Sequence, residues 1–380
     1  MAAAKNNGPG CGLMITPKSW DEAMTGLTIR QARTEELKAK PEQTALGFGK
    51  HFSDHMLTMR YTEGVGWHDL TISKYENFSL APSAMCLHYG QAIFEGMKAY
   101  RTANDQISLF RPLDNLRRMN VSCERMCMAP IDVQPVLEAI KELIRLDQEW
   151  VPRTPGATLY IRPTMIATEA ALGVRPSTEY LFFVILSPVG AYYPEGFNPV
   201  SIYVSDTYVR AVRGGVGFVK TAGNYAASIK AAMEAKALGY TQVLWLDAIE
   251  RRYVEEVGTM NIFFKINGRL ITPPLAGSIL PGITRDSVIQ LAKDWGQAIE
   301  ERPISIDEVV EANNNGALEE VFGTGTAAVI SPVGSLFYQG QTITLNGGQT
   351  GPLSQKMFDC LQGIQYGQHP DVHGWVEPLF

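Results

Sequence analysis

The sequence predicts an α+β protein of more than one domain, and three observations carry that reading. Strand-like runs and helical runs mix without strict βαβ alternation. A Pro/Gly cluster, Ser187-Pro188-Val189-Gly190 with Pro194, Gly196 and Pro199 behind it, interrupts the chain near its middle. Asn267-Gly268 sits between two apolar runs, the strongest short hairpin signal a sequence offers. The chain has 380 residues, enough for two or three domains that each bury a core. Hydrophobic residues make up 45% and charged residues 19%, which excludes an intrinsically disordered chain.

Residues 1–45 are rich in Ala, Lys, Gly and Glu with weak periodicity, and read as a loosely held arm with a short helix. A first domain is expected over 46–189, a connecting loop over 190–200 and a second domain over 201–380. In the first, Val136, Leu137, Ile140, Leu143 and Ile144 recur at helical spacing, predicting one helix from Val133 to Trp150. Tyr180 to Leu186 is a continuous apolar run, the pattern of a strand covered on both faces. In the second, Val200–Val204, Gln242–Leu246, Asn261–Ile266 and Arg269–Thr272 read as strands. Asn224–Leu238 and Thr284–Trp295 read as helices stopped by Gly239 and Gly296.

Charge and cysteine usage narrow the function. The 33 basic against 39 acidic residues leave a net charge of −6, no general field for nucleic acid. The longest apolar run falls well short of the ~20 residues a membrane helix needs. Five scattered cysteines make a poor disulfide framework, and the six histidines show no metal spacing. Met1 to Gly12 carries no apolar stretch of a secretory signal, so a cytoplasmic protein is expected.

Six segments invite a chemical reading. Arg213-Gly214-Gly215-Val216-Gly217-Phe218 is neither a dinucleotide fingerprint nor a Walker loop, and reads as a turn. Leu280-Pro281-Gly282-Ile283-Thr284-Arg285 leads into a helix with Thr284 as expected N-cap; its free N–H groups could hold a phosphate. Gly323-Thr324-Gly325-Thr326-Ala327 offers hydroxyls and close backbone approach, and the two loops together could form one phosphate cup, with Arg118 adding a cation. Helix capping, turn chemistry and a solvated arginine are the plain alternatives. Lys220 ends an apolar run; a lysine in apolar surroundings can be a neutral amine at pH 7, as carbonyl addition requires, or it can simply reach for water. Glu255 and Glu256 are adjacent in a strand and point to opposite faces, so one can be solvated while the other points inward to a cation, either a Lys or Arg or the protonated ring nitrogen of a cofactor. Tyr160 and Arg162 in Tyr160-Ile161-Arg162-Pro163, with Tyr89, Phe94, Tyr192 and Tyr193 near Gly or Pro breaks, could line an apolar pocket with one anchor for a carboxylate, or could simply pack in the core.

Taken in order, these segments resemble the branched-chain amino acid aminotransferases, pyridoxal-phosphate enzymes of fold type IV. The matching pieces are Phe48-Gly49-Lys50 with Asp54-His55-Met56, Leu87-His88-Tyr89-Gly90, Phe94-Glu95-Gly96, Phe110-Arg111-Pro112 with Arg118, Tyr160-Ile161-Arg162-Pro163, and Leu172-Gly173-Val174. Lys220 through Tyr225, Glu256 through Asn261, Leu280 through Arg285 and Gly323 through Ala327 complete them. One such motif proves little; ten in order are specific, and they span the chain from about residue 45 nearly to its end.

The resemblance implies a two-domain fold, like that of D-amino acid aminotransferase, with a small α/β domain and a larger barrel-like cofactor-binding domain. It implies pyridoxal 5'-phosphate bonded to Lys220, which also carries protons. Glu256 would face the pyridine nitrogen and Tyr225 the phenolic oxygen. Arg118, Ile283, Thr284 and Thr326 would hold the phosphate. Phe48, Tyr89, Phe94, Val174, Tyr192 and Thr259 would form the side-chain pocket, with Tyr89 and Val174 supplied by the partner subunit of a homodimer. Tyr160 and Arg162 would receive the side-chain carboxylate of glutamate, and the N–H groups of Thr326 and Ala327 the α-carboxylate. The implied reaction exchanges the amino group of L-leucine, L-isoleucine or L-valine with 2-oxoglutarate. Mammalian members carry a Cys-x-x-Cys pair after the Gly-Thr-Ala stretch; Ala328 and Ser331 stand there, so no thiol switch is expected. The alternatives are a D-amino acid transaminase or aminodeoxychorismate lyase of the same fold, and a phosphate-binding module without catalysis, against which Lys220 speaks.

Overall fold

The computed structural model describes residues 26–190 and 197–379. Its frame is two mixed sheets. The first takes β1 (Thr28–Ile29), β2 (His55–Thr62), β3 (Gly66–Lys74), β4 (Ala92–Phe94), β5 (Met97–Arg101), β6 (Ile107–Phe110), β7 (Thr158–Ala167) and β8 (Glu179–Val189). The second takes β9 (Val200–Ser205), β10 (Gln242–Leu246), β11 (Val254–Val257), β12 (Asn261–Ile266), β13 (Arg269–Thr272), β14 (Ile299–Glu301), β15 (Leu318–Gly325), β16 (Val329–Tyr338) and β17 (Gln341–Thr344). A last strand, β18 (Val376–Pro378), crosses back and pairs with β6.

The strand orders are β1-β3-β2-β8-β7-β5-β6-β18, with β4 on β7, and β11-β10-β9-β16-β15-β12-β13-β14, with β17 on β16. Most neighbours are antiparallel, but β9 runs parallel to both β10 and β16. The Asn267-Gly268 hairpin forms with Ile266 opposite Arg269, and both its residues have positive φ, as the tight turn requires. β8 ends at Val189 and β9 begins at Val200.

Seven α-helices are described: α1 (Met85–Tyr89), α2 (Pro112–Arg125), α3 (Val133–Leu146), α4 (Ala222–Ala237), α5 (Ile283–Asp294), α6 (Ile306–Asn314) and α7 (Pro352–Gln365). The apolar stripe of α3 is buried with Leu116 and Met119 of α2 against the first sheet. Val309 of α6 joins Ile262, Phe264 and Val321 in the second. A further cluster joins the sheets: Tyr100 and Phe110 pack with Phe263, Phe322, Val329 and Met357. That seam holds the edges of the two sheets rigid against each other, so a cavity between them keeps its shape.

Several expectations need correction. The predicted helix to Trp150 stops at Leu146, because the Asp147 carboxylate turns to accept the backbone N–H of His55 at 2.9 Å and pairs with its ring Nδ1 at 2.6 Å; a 3-10 turn, Gln148–Trp150, follows. The described part of the arm is not loose. Its backbone donors find buried acceptors, Ala32 N–H on His55 Nε2 at 2.9 Å and Lys38 N–H on Asp54 Oδ1 at 2.8 Å. The N-cap of α5 is Gly282, not Thr284: a Cβ at Gly282 would meet Asn261 Oδ1 at 1.9 Å, so only glycine allows the chain to enter the helix there. Glu255 and Glu256 are both buried, since α+β packing covers both faces of β11. Among the described residues, no helix is long and apolar enough to cross a membrane.

Candidate active site

Between the sheets lies a cavity of about 410 Å³ lined by Phe48, Phe94, Gly96, Tyr160, Arg162, Lys220, Ala222, Tyr225, Thr259, Met260, Gly325, Thr326, Ala327 and Ala328. Lys220 leaves a run of turns and precedes α4 by two residues, tied to the first sheet by its carbonyl, which accepts from Phe94 N–H at 3.0 Å, and to α2 by its N–H, which donates to Ser122 Oγ at 3.1 Å. Both ties fix the backbone, so the side chain is aimed rather than free.

The Lys220 amine sits between two rings, 5.0 Å from the centroid of Phe94 and 5.2 Å from that of Tyr225, and donates to the Tyr225 hydroxyl at 2.7 Å. Lys220 is half-buried where it meets the cavity. Burial of the amine, with Arg118 adding like charge, pushes it down to about 8. Burial, with Glu256 nearby, pushes the Tyr225 hydroxyl up to about 12. The pair is therefore a poised amine on a neutral phenol.

Arg118 is not a solvated surface cation. It projects from α2 into the seam, where Nε and Nη2 grip Glu95 at 2.8 and 2.9 Å and Nη1 donates to the Pro281 carbonyl at 2.9 Å. Burial by itself would raise the Glu95 carboxyl; Arg118 holds it below the ordinary range. Arg118 thus reaches the loop that opens α5, whose Ile283 and Thr284 head the helix with no side chain capping it. Asn261 joins that loop to the Gly-Thr-Gly-Thr strand: its Nδ2 donates to the Leu280 carbonyl at 2.9 Å, and it pairs across the sheet with Thr324.

Glu256 forms the floor of a narrow cleft shared with Tyr225, Thr259 and Leu280. Its carboxylate accepts from Asn261 at 3.0 Å and Leu280 N–H at 3.2 Å, and meets Arg210 Nε at 2.5 Å. Burial still pushes it up to about 7, against the pull of Arg210. Glu255, raised by burial too, accepts from Ser278, whose carbonyl takes Arg210 Nη2 at 2.5 Å. Arg210 is the cation in direct contact with Glu256, Arg213 and Lys220 act from farther off, and burial still keeps both carboxyls above their ordinary range.

On the opposite wall Arg162 lies over Phe94 at 4.6 Å and Tyr160 at 5.2 Å and donates to the Tyr160 hydroxyl at 3.1 Å. Its Nε is buried without a hydrogen-bond partner among the described residues. Gly96 is what admits Tyr160: a Cβ there would lie 1.9 Å from the phenolic oxygen.

Other expected residues lie elsewhere. Tyr89 and Val174 are 40% and 89% exposed and do not line this chain's own cavity. Tyr192 and Tyr193 lie outside the described residues. Sequence reasoning passed over Glu95, Lys98, Arg210 and Asn261. Glu95 and Asn261 stood inside quoted motifs, and Lys98 interrupts a buried run of β5; Arg210 carried no signal. Lys98 is buried, its amine lowered to about 8 by that burial, and donates to the Ala327 carbonyl at 2.7 Å. Among the described residues no cluster could hold a metal ion.

A lysine with a lowered amine, a helix start without a side-chain cap and a buried carboxylate thus lie close together around one cavity. The chain belongs to the amino-transferase class IV family, whose model matches residues 92–336. It is 53% identical over 353 residues to branched-chain-amino-acid aminotransferase 2 of Bacillus subtilis, covering 93% of this chain and 97% of that one. The branched-chain amino acid aminotransferase of Escherichia coli has the same fold, with a TM-score of 0.72, 28% identity, and coverage of 86% of this chain and 99% of that one. A further branched-chain amino acid aminotransferase, solved with pyridoxamine 5'-phosphate, superposes with a TM-score of 0.70 at 29% identity over 85% of this chain and 98% of its own. Other structures of that enzyme carry N-(5'-phosphopyridoxyl)-L-glutamate and 4-methylvaleric acid. The activity of the present chain is therefore branched-chain amino acid transamination on a fold type IV frame, and the relatives favour this over the D-amino acid transaminase and lyase alternatives.

Proposed function

We propose that the chain transfers the amino group of L-leucine, L-isoleucine or L-valine reversibly to 2-oxoglutarate, using pyridoxal 5'-phosphate held on Lys220 in a homodimer with shared sites. The observation that carries this is the Lys220 amine, depressed to about 8 and seated between Phe94 and Tyr225 in the cavity. The residues present fit the group. The buried Glu256 carboxyl, raised by burial, matches a protonated ring nitrogen, and the uncapped start of α5, beside Arg118, matches a phosphate. When bound, the cofactor supplies an electron-withdrawing ring that makes the substrate α-proton acidic.

This chain's residues do the rest. Lys220, as a neutral amine, would accept the substrate α-proton and act as the proton carrier of the site. Tyr225 holds a proton at its hydroxyl and steers the amine. Glu256, braced by Arg210 and Asn261, would hold a protonated ring nitrogen and keep its positive charge in place. Ile283, Thr284 and Thr326, with Arg118, bind phosphate. Phe48, Phe94 and Thr259 present an apolar surface to a branched side chain, while Tyr160 and Arg162 take the side-chain carboxylate of glutamate in the same space. Thr326 and Ala327 offer N–H groups to the α-carboxylate. Tyr89 and Val174, exposed here beside Leu87 and Leu172, would reach into the neighbouring subunit's cavity.

Borohydride reduction of the yellow protein, followed by peptide mapping, should fix a phosphopyridoxyl mass on Lys220. A label on any other lysine would sink the assignment. Arg162→Met should raise KM for 2-oxoglutarate and glutamate by about 10²-fold, the scale of one lost charge-assisted pair, and leave KM for L-leucine within about threefold. Equal losses for both substrates in steady-state kinetics would show that Arg162 only shapes the wall.

A further inference from the structure

The cavity's Thr326-Ala327-Ala328 corner is a three-residue hairpin loop closed by the pairing of Gly325 with Val329. A left-handed residue just past the turn of a hairpin is normally glycine. Here it is Val329, with φ +62°. A β-branched residue at positive φ is a true outlier, and such strain persists only where the surroundings hold it. The surroundings do hold it: Val329 is 2% exposed and packs in the seam with Phe263, Phe322 and Met357. The middle of the loop is fixed separately, by Lys98 on the Ala327 carbonyl at 2.7 Å.

We propose that Val329 is a positioning residue for substrate carboxylate: its buried isopropyl group clamps the left-handed backbone that aims the Thr326 and Ala327 N–H groups into the cavity. This rests on the reading of that loop as the α-carboxylate site. Every substrate of the reaction carries that carboxylate, so the clamp acts on all of them alike. A loop already shaped binds an anion without first losing freedom.

The test uses the holoenzyme and 4-methylvalerate, a branched acid without an amino group, as a calorimetric probe. Val329→Gly, free to leave the left-handed region and lacking the isopropyl anchor, should weaken 4-methylvalerate by about tenfold. It should raise KM for L-leucine and 2-oxoglutarate by the same factor, with kcat within about twofold, because substrate and transition state both keep the carboxylate. Val329→Ile, which keeps branching and burial, should bind like the wild type. Val329→Ala, which loses the anchor with less freedom, should reproduce the glycine loss and serves if the glycine variant does not fold. Wild-type affinity in Val329→Gly or Val329→Ala overturns the proposal, as does a KM change confined to L-leucine. Failure of the site reading looks different: wild-type holoenzyme would then bind no 4-methylvalerate in competition with L-leucine, and both ideas fall.

Discussion

Lys220→Ala is expected to lose at least about 10⁴-fold in turnover, the combined scale of a missing covalent partner and a missing proton carrier. The same variant should fold. The Lys220 side chain donates to Tyr225, and its backbone ties to Phe94 and Ser122 survive the change. In cofactor-free protein the substitution should even help at neutral pH. The amine titrates near 8 folded against 10.5 unfolded, so between those values the unfolded chain binds the extra proton and stability rises with pH. Below about 8 the folded state carries the full cost of a buried ammonium. Lys220→Ala escapes that cost, less the packing of its methylenes. Its melting temperature should therefore match or exceed that of the wild type at pH 7, with the margin shrinking toward pH 10.5. Substantial residual turnover, measured against L-leucine in a coupled assay, would remove Lys220 from the chemistry.

Glu256→Gln should keep the yellow colour but cut kcat by about 10²-fold or more, the scale of one lost electrostatic contact at a reacting centre. Gln keeps the shape and can still accept from Asn261 and Leu280, so the cleft need not collapse. What it loses is negative charge at the ring edge. The pH signature runs opposite to that of an ordinary carboxylate. Glu256 titrates near 7 folded against 4.5 unfolded, so between these values the folded state holds the extra proton and stability falls as pH rises. Thermal melts of cofactor-free protein from pH 4.5 to 7 should show a shallower fall in Glu256→Gln. Arg210 remains balanced by Glu255 through Ser278, which limits the cost of leaving a buried guanidinium. Wild-type kinetics would remove Glu256 from its role.

Much of this site was legible in the order of the residues. Lys220 beside small residues and a helix start announced an unusual amine. The Asn267-Gly268 turn set the register of β12 and β13, and β12 begins at Asn261, the residue that braces Glu256. These are short-range features: glycine and asparagine at positive φ, apolar periodicity, a lysine in an apolar run. Each depends on neighbours in sequence, so sequence contains it.

Other residues depended on long-range packing. Arg118 looked like a solvated helix residue until Glu95, 23 positions away, met it in the seam. Strand alternation leaves room for one of the adjacent glutamates in solvent, yet β11 is covered on both faces and buries Glu255 with Glu256. Arg210 had no motif at all, and Lys98 finds Ala327 across 229 positions. Val329 reads as an ordinary strand valine, and only the closed hairpin places it in the left-handed region.

The sequence by itself determined the class of chemistry, through ten ordered motifs that resemble the branched-chain aminotransferases, and pointed to Lys220 as its carrier; local turn and helix rules fixed only the hairpin and the helices. Only the tertiary structure decided which charges meet, which carboxylate is buried and which backbone is strained. Those outcomes depend on desolvation and packing between segments far apart in the chain, and no local pattern encodes them.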